Sequence, residues 1–413
     1  MLNIIKTRIN NFFTKNTNKS INIDTIIFLN LVFLLTIFKL QLFGVETVEY
    51  KNTFQYWFDH LDKNGIFALK DTYYNKSPSF ITLIYFSTLL KLPAILSLKL
   101  ISIFFDFVLA YSISSIYYQI RKNDFLSKIV FIVVFGLPGV IINSSLWGNL
   151  DVIWVSLSSL SLLFLIKRNY LSSSLALALA FCFDLKALFI FPLYLVLFFK
   201  RKIPKLAFLY YSFIPPLVYL ISLIPSFLMG RPLLSDKFNG ANVEGLLNIY
   251  FHQNQFSNQI VAGATPNLYS WIASDLKGLL FIPIIILVII VISVLVYLLS
   301  QKSTNNYSYY DLLDDVLLLY TTFVFIAPNM TQQSYFFPEI LAILMLFLKP
   351  KNWLYYLIII ISSTFGQWKS VIDTIQIPFF LEFYWCAVFI LISLIFALKE
   401  KLKTLDIKSY DIF

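Results

Sequence analysis

Long apolar segments recur along the whole chain, and they restrict its fold more than any other feature. A helix that crosses a bilayer needs about 20 predominantly apolar residues, or fewer where neighbouring helices surround it. Runs of this kind that are bounded by charge predict an all-α, polytopic transmembrane protein with about twelve crossings. The predicted spans are residues 25–43, 94–119, 129–146, 152–166, 170–183, 187–199, 206–228, 279–299, 312–328, 335–348, 353–367 and 379–398.

The composition excludes several classes of protein. Of the 413 residues, 59% are apolar and only 13% are charged, so the charge that would solvate a globule of this size is absent. A soluble enzyme and a nucleic-acid binder are therefore ruled out, and we expect no nucleic-acid partner. Cys182 and Cys386 lie far apart in apolar runs, which argues against a disulfide framework or a cysteine metal site. His60 and His252 are too few for a histidine-rich metal centre.

The distribution of charge predicts an orientation. With the N-terminus in the cytoplasm, 20 of the 32 basic residues fall in cytoplasmic segments, while 14 of the 22 acidic residues are external or intramembrane. This is the bias of the positive-inside rule. We expect both termini to be cytoplasmic, no cleavable signal peptide, and a location in a bacterial plasma membrane rather than the ER. Residues 79–90, which are short for a span, are expected to lie in the membrane without crossing it.

Two external loops are long enough to be structured, and they divide the chain. The predicted units are a cytoplasmic segment (1–24), a transmembrane module (25–228) that includes external loop 44–78, a second external loop (229–278), a C-terminal transmembrane module (279–398) and a cytoplasmic tail (399–413). In the first loop, Phe54, Trp57, Phe58 and Leu61 follow helical spacing. They predict an amphipathic helix that lies on the membrane surface.

Charged residues within or beside the apolar runs are functional candidates, because charge in a bilayer is costly. Asp151 follows the third span, where it can contact a hydroxyl, act as an acid or base, or cap the next helix. Asp184 and Lys186 separate two short apolar runs and are expected to be recessed. Lys186 can meet a phosphate there, or pair with Asp184, and the two roles are compatible.

Three further acids have simpler alternatives. Glu46 and Glu49 follow the first span, and either carboxylate can serve as a general base or be an ordinary solvated loop acid. Asp106 lies deeper, with Lys99 seven residues earlier as its neighbour one helical face away, and a structural polar contact between helices is expected there. Lys39 is expected to extend its ammonium to the membrane surface. His252 is expected to be an ordinary loop histidine.

Taken in order, several motifs resemble the GT-C superfamily of membrane glycosyltransferases. Segment 140–200 carries most of the similarity, because bacterial members show a Trp-Gly-Gln-x-Asp pattern followed by a Phe-Lys-x-Gln-Ala-type turn. The first mannosyltransferase of GPI synthesis and the dolichyl-phosphate-glucose glucosyltransferases have similar elements. The matching segments here are the loop with Trp57 and Gly65, residues 77–78, 147–151 and 183–187, Pro192, and residues 230–232, 249–253 and 266–269.

The resemblance implies an inverting transfer of a hexose from a polyprenyl-phosphate donor to an extracytoplasmic acceptor, which is a glycan, a lipid or a protein. It implies that Glu49 is the general base, with Glu46 competing for that role. No cofactor is expected, and a divalent metal is not predicted. The implied substrate-binding residues are Trp57, Trp147, Asn149, Asp151, Asp184, Lys186, Arg231, Gln253 and Asn267.

The sequence departs from the family pattern in residues 330–335. Close bacterial relatives show Met-His-Glu-Arg-Tyr-Gly, whereas this chain has Met-Thr-Gln-Gln-Ser-Tyr. The change implies altered donor binding, or altered or lost activity. Two other functions stay open: a glycan polymerase or ligase, which would use a diphosphate donor and several external arginines, and a lipid or solute transporter, which would favour internal repeats.

Overall fold

The described part of the chain is almost entirely helical. The computed structural model describes residues 23–47, 50–71, 76–235, 238–239, 242–249, 265–271, 274–301, 307–328, 330–371 and 383–403. Sixteen α-helices are present in these ranges: α1 Ile23–Gln41, α2 Gln55–Asn64, α3 Pro78–Thr88, α4 Ala94–Arg121, α5 Asp124–Phe135, α6 Pro138–Ile141, α7 Asp151–Ile166, α8 Tyr170–Phe183, α9 Phe191–Phe199, α10 Lys205–Ser222, α11 Ile224–Leu228, α12 Ser274–Gln301, α13 Tyr309–Ile326, α14 Phe336–Leu348, α15 Trp353–Val371 and α16 Phe383–Lys403.

Short turns connect these helices and shape the loops. A π-helical turn, Tyr50–Phe54, precedes α2, and another, Ile142–Trp147, continues α6. The 3-10 turns are Leu42–Gly44, Gly65–Lys70, Leu185–Ile190, Leu268–Trp271, Gln332–Tyr335 and Pro350–Asn352. A two-residue antiparallel pair joins β1 Phe238–Asn239 to β2 Asn242–Val243.

Helices long and apolar enough to cross a membrane are present, as the sequence predicts. Five qualify among the described residues, or six if the bent pair formed by α5 and residues 138–147 counts as one span. Four further apolar helices, which contain residues 151–166, 170–183, 185–199 and 332–348, have 10–17 residues. A helical membrane protein is thus supported, while the number of twelve crossings stays a prediction.

Within the described residues, each predicted span overlaps helical structure, and several spans break or change helix type along their length. The span 129–146 is broken at Gly136 and Leu137, where the chain bends by 46° ahead of Pro138. Within the span 206–228, helix α10 ends at Ser222. The span 187–199 begins as a 3-10 turn. Proline accounts for the first break, because it cannot donate the helical hydrogen bond and favours the first turn of a new helix.

The loop helix α2 forms where the apolar spacing predicts it. Phe54, Trp57, Phe58 and Leu61 are all buried. They do not face a membrane surface, however, because they form one apolar cluster with residues of α3, α4 and α7. Trp57 packs edge-on against Phe80 of α3, with ring centroids 6.5 Å apart. The apolar face was predicted correctly, while its expected partner was wrong.

Segments that the charge pattern assigns to the cytoplasm meet at one end of the bundle. Arg121 donates to the carbonyl of Leu348 at 2.5 Å. Lys349 pairs with Asp314 at 2.6 Å, and Lys401 pairs with Asp315. The structure therefore groups these segments as the prediction requires. Their location on the cytoplasmic side stays a prediction.

A fully buried ion pair joins the first helix to the bundle. Lys39 Nζ of α1 lies 2.5 Å from Asp106 Oδ2 of α4, and both side chains are 0% exposed. The ammonium also lies 4.1 Å from the Phe135 ring centroid. Lys39 therefore points into the protein and not to the membrane surface, so the expectation for Lys39 was wrong. The structural contact between helices that is expected for Asp106 is confirmed, with Lys39 and not Lys99 as the partner.

Removal of one charge from this pair leaves the other buried without compensation. We expect Lys39→Met to lower the free energy of unfolding by about 3–5 kcal/mol. The double change Lys39→Met with Asp106→Leu should recover most of this loss. Denaturant unfolding in nanodiscs measures both, and equal stability of the single variant and the parent would contradict the assigned pair.

Candidate active site

The segment between α6 and α7 carries the strongest motif and is held by its own polar atoms. Gly148 adopts a φ of 71°, which suits glycine. Asn149 Nδ2 donates to Asp151 Oδ2 at 3.2 Å, and the Asp151 backbone N–H donates to Asn149 Oδ1 at 3.3 Å. Asp151 lies in the first turn of α7, where the helix dipole favours a carboxylate. Both side chains are buried, as is Trp147.

The turn between α8 and α9 brings a second acid and a lysine to Asp151. Lys186 Nζ lies 3.2 Å from Asp184 Oδ2, and Asp184 Oδ1 accepts from the Lys186 backbone N–H at 2.8 Å. The predicted internal ion pair is therefore present. Asp151 also acts electrostatically on the Lys186 ammonium. We call Asp151, Asp184 and Lys186 the acid–lysine cluster.

Aromatic residues enclose the acid–lysine cluster. Lys186 Nζ lies 5.8 Å from the ring centroid of Trp154, which is one turn beyond Asp151 on α7. Tyr320 of α13 donates to the Lys186 carbonyl at 3.2 Å and stacks near Trp154. The sequence predictions missed both aromatic residues. The spacing from Asp151 to Trp154 was the available signal, since residues three apart share a helix face.

Lys186 is recessed but not sealed, because its side chain is 16% exposed. An ammonium has three donors, and Asp184 takes one of them. The Asp184 turn is also tied to the rest of the site, since Ser77 Oγ donates to the Phe183 carbonyl at 3.2 Å. This contact brings the predicted motif at residues 77–78 beside the one at 183–187.

The first loop keeps Glu46 at the surface. Glu46 Oε2 lies 3.1 Å from Lys51 Nζ, and both side chains are about half exposed. Burial, together with the nearby carboxylates of Glu46 and Asp59, raises the pKa of Tyr50 to about 12, so this phenol stays neutral at physiological pH. Glu46 is thus a half-exposed loop acid with a lysine partner, which fits both the general base and the ordinary loop acid that the sequence leaves open. Glu49 lies outside the described residues.

A buried lysine joins this loop to the Gly148 segment. Lys99 of α4 is 1% exposed, and its Nζ donates to the carbonyls of Val45 at 2.7 Å and Leu146 at 3.3 Å. The Lys99 ammonium also donates to the backbone carbonyls of Leu42 and Phe43, at 3.3 and 3.2 Å. These carbonyls lie where helical turns end, and helix C-termini favour a positive charge. Lys99 therefore holds two candidate loops at fixed positions.

Gly148 is part of the same contact. A Cβ added there would lie 3.2 Å from Lys99 Cε, so a side chain would press on the lysine in addition to its unfavourable φ. Thr47 Oγ1 also donates to the Trp147 carbonyl at 3.5 Å. The loop that precedes Glu49 and the motif that contains Asp151 thus meet in one place.

The remaining predicted site residues have local structural roles in this structure. Trp57 packs in the apolar cluster described above. Arg231 is 2% exposed, and its Nε donates to the Glu244 carbonyl at 3.2 Å. Asn267 Oδ1 accepts from the Tyr269 backbone N–H at 3.0 Å and so caps a 3-10 turn. Gln253 and His252 lie outside the described residues.

The segment that departs from the family pattern supports the second loop. Tyr335 donates its hydroxyl to the Pro266 carbonyl at 2.9 Å, and Thr265 donates to the Met330 carbonyl at 2.5 Å. Ser334 Oγ accepts from the Thr331 backbone N–H at 3.2 Å. Neutral side chains therefore hold the Asn267 turn in place here.

Comparison with known proteins does not assign the chain to a family. No protein-family model matches the sequence, and no curated protein matches it. Within the residues that the structure describes, no group of three or more His, Cys, Asp or Glu side chains is arranged to hold a metal ion. The candidate site therefore rests on its own geometry.

We expect Lys99→Met to loosen both loops together, because their carbonyls would lose a shared donor. Hydrogen–deuterium exchange in residues 42–47 and 142–149 should become faster by roughly tenfold, which corresponds to about 1.4 kcal/mol. Lys91→Met, which removes an exposed lysine paired with Asp62, is the control and should change neither. Faster exchange in only one loop would contradict a shared role.

Proposed function

We propose that this chain is an integral membrane glycosyltransferase of the GT-C type. It transfers a hexose from a polyprenyl-phosphate donor to an acceptor on the extracytoplasmic face, with inversion. The observation that supports this most is the acid–lysine cluster, which lies beside an aromatic wall and is linked through residues 146–149 to the loop that bears Glu46 and Glu49. Thr47 of this loop contacts the Trp147 carbonyl, so two motifs that are 100 residues apart in sequence lie next to each other.

The roles of the residues follow from their chemistry. Lys186 meets the donor phosphate, and its ion pair with Asp184 keeps the ammonium in place before the donor binds. Asp151 and Asn149 are suited to hold sugar hydroxyls, since carboxylate and amide groups bind hydroxyls well. Trp154, whose ring flanks the lysine, offers an apolar face to a sugar ring.

In the proposed reaction, the acceptor hydroxyl attacks the anomeric carbon on the side opposite the phosphate. The bond between that carbon and the phosphate oxygen breaks, and the phosphate keeps the electron pair. The acceptor proton passes to the carboxylate of Glu49 or Glu46. Lys186 stabilises the charge that develops on the phosphate, an effect often worth about 3–4 kcal/mol per donor group.

The base assignment is tested with the full-length protein in nanodiscs and a set of polyprenyl-phosphate sugars, by release of polyprenyl phosphate. Loss of a general base typically slows a reaction by about 10²–10⁴-fold. We expect sugar transfer to slow by this factor in one of the two single variants, Glu49→Gln or Glu46→Gln. The double variant should be slowed to the same extent. A double variant that transfers sugar as fast as the parent would show that neither is the base.

The phosphate role of Lys186 is tested in the same assay. We expect Lys186→Ala to lower kcat/KM for the donor by about 10²–10³-fold, because the departing phosphate loses a charged donor. The KM for the acceptor should change little. Lys91→Ala is the matched control, since Lys91 also pairs with an aspartate at 3.2 Å but is exposed. Unchanged donor kinetics in Lys186→Ala would refute the assignment.

A further inference from the structure

One buried carboxylate has no part in the proposed reaction. Glu339 lies in the first turn of α14, which is otherwise apolar, and it is 0% exposed. Its two oxygens accept hydrogen bonds from α15: Ser363 Oγ at 2.6 Å, Thr364 Oγ1 at 2.9 Å and Gln367 Nε2 at 3.1 Å. These three partners are neutral. They solvate the carboxylate but do not balance its charge.

The charge has no counter-ion among the side chains that the structure describes. The ion pairs found there involve other acids, such as Asp106, Asp184, Asp314 and Asp315. An isolated carboxylate inside an apolar helical bundle is far too costly to stay uncompensated. Something must therefore neutralise Glu339.

The bent helix passes directly beside this carboxylate. Gly139 lies just after the 46° break between α5 and α6, and a Cβ added there would overlap the Glu339 carboxylate. Glycine is therefore the residue that fits. The π turn at residues 142–147 packs against α15 as well. Broken helices line many cation sites within membranes, where unwound backbone and helix C-termini contribute to coordination.

Unpartnered polar atoms lie in the same place. Gln367 is 0% exposed, and its Oε1 has no hydrogen-bond partner although its Nε2 contacts Glu339. Asn143 is one turn beyond Gly139, is also 0% exposed, and has no partner for either Oδ1 or Nδ2. Buried amides are rarely left unsatisfied. These atoms indicate that a polar ligand belongs between the bent helix and α15.

We propose that Glu339, Ser363, Thr364 and Gln367 form a binding site for a monovalent cation, Na⁺, with Asn143 at its edge. The carboxylate, the two hydroxyls and the amide supply oxygen ligands, which hard cations prefer. The amide of Gln367 presents Oε1 to the ion after a 180° rotation, an exchange that leaves its shape unchanged.

The ligand set favours an ion with a single positive charge. One carboxylate balances one positive charge, whereas a divalent ion would need a second acid. The two hydroxyl oxygens lie 2.6 and 2.9 Å from the carboxylate oxygens, so all of them are close enough to ligate the same ion. Protonation of Glu339 would also remove its charge, but it would leave both amide atoms of Asn143 without partners. A hydrated cation can satisfy them.

The test is thermal unfolding of the full-length protein in detergent, with NaCl, KCl or N-methyl-D-glucamine chloride at constant ionic strength. We expect Na⁺ to raise Tm by roughly 2–5 °C with saturation, because a ligand of the folded state stabilises it. Glu339→Gln should abolish this rise. Ser363→Ala, which removes one oxygen and is expected to fold, should raise the Na⁺ concentration for half-maximal effect about tenfold.

Asp124→Asn is the control, because it removes an exposed carboxylate from the neighbouring helix α5, and it should respond to Na⁺ like the parent. Equal Tm values in the three salts would overturn the proposal. So would a Tm that follows pH and ignores the cation, since Glu339 would then be neutralised by a proton. An unchanged Na⁺ response in Glu339→Gln and Ser363→Ala would place the site elsewhere.

Discussion

Charge buried in an apolar helical bundle is the constraint on which the rest of this structure depends. Lipid offers no water to solvate such charge, so the protein must satisfy it internally. The chain does this in three ways. Lys39 meets an opposite charge in Asp106, Lys99 meets backbone carbonyls at the ends of helical turns, and Glu339 meets hydroxyl and amide donors. Each solution fixes the relative position of elements that are distant in sequence.

The candidate site follows from the second of these solutions. Short apolar helices such as α7 and α8 end inside the protein, which leaves their polar ends recessed beside one another. The ammonium of Lys99 then joins the loop after α1 to the segment before α7. In the proposed function, a carboxylate of the loop after α1 can act on a bound sugar only if the loop is positioned, because proton transfer requires hydrogen-bond distance. Lys99 would supply this positioning through its contacts with backbone carbonyls of both segments.

Apolar periodicity predicted which segments are helices and which face of α2 is buried, but it did not predict partners. Hydropathy records that a face avoids water, and it does not distinguish lipid from protein, so α2 was expected on the membrane surface. Charge spacing has the same limit, because it predicted a structural contact for Asp106 without identifying the partner. Asp106 and Lys99 are seven residues apart on one helix, yet Asp106 pairs with Lys39 on another. The Asp184–Lys186 pair was predictable, because only one residue separates the two and their contact is local.

The buried acid on α14 also changes how the departure at residues 330–335 is interpreted. The resemblance implies His, Glu and Arg in that segment, whereas this chain has neutral side chains that hold the Asn267 turn. The nearest charge follows within α14, where Glu339 faces α15 and the bent helix and not the acid–lysine cluster. Charge in α14 is thus placed where it joins helices, and in the proposed reaction Lys186 is the cation of the acid–lysine cluster that meets the donor phosphate. An enzyme of this kind would depend more strongly on that single lysine than a relative with several cations around its donor.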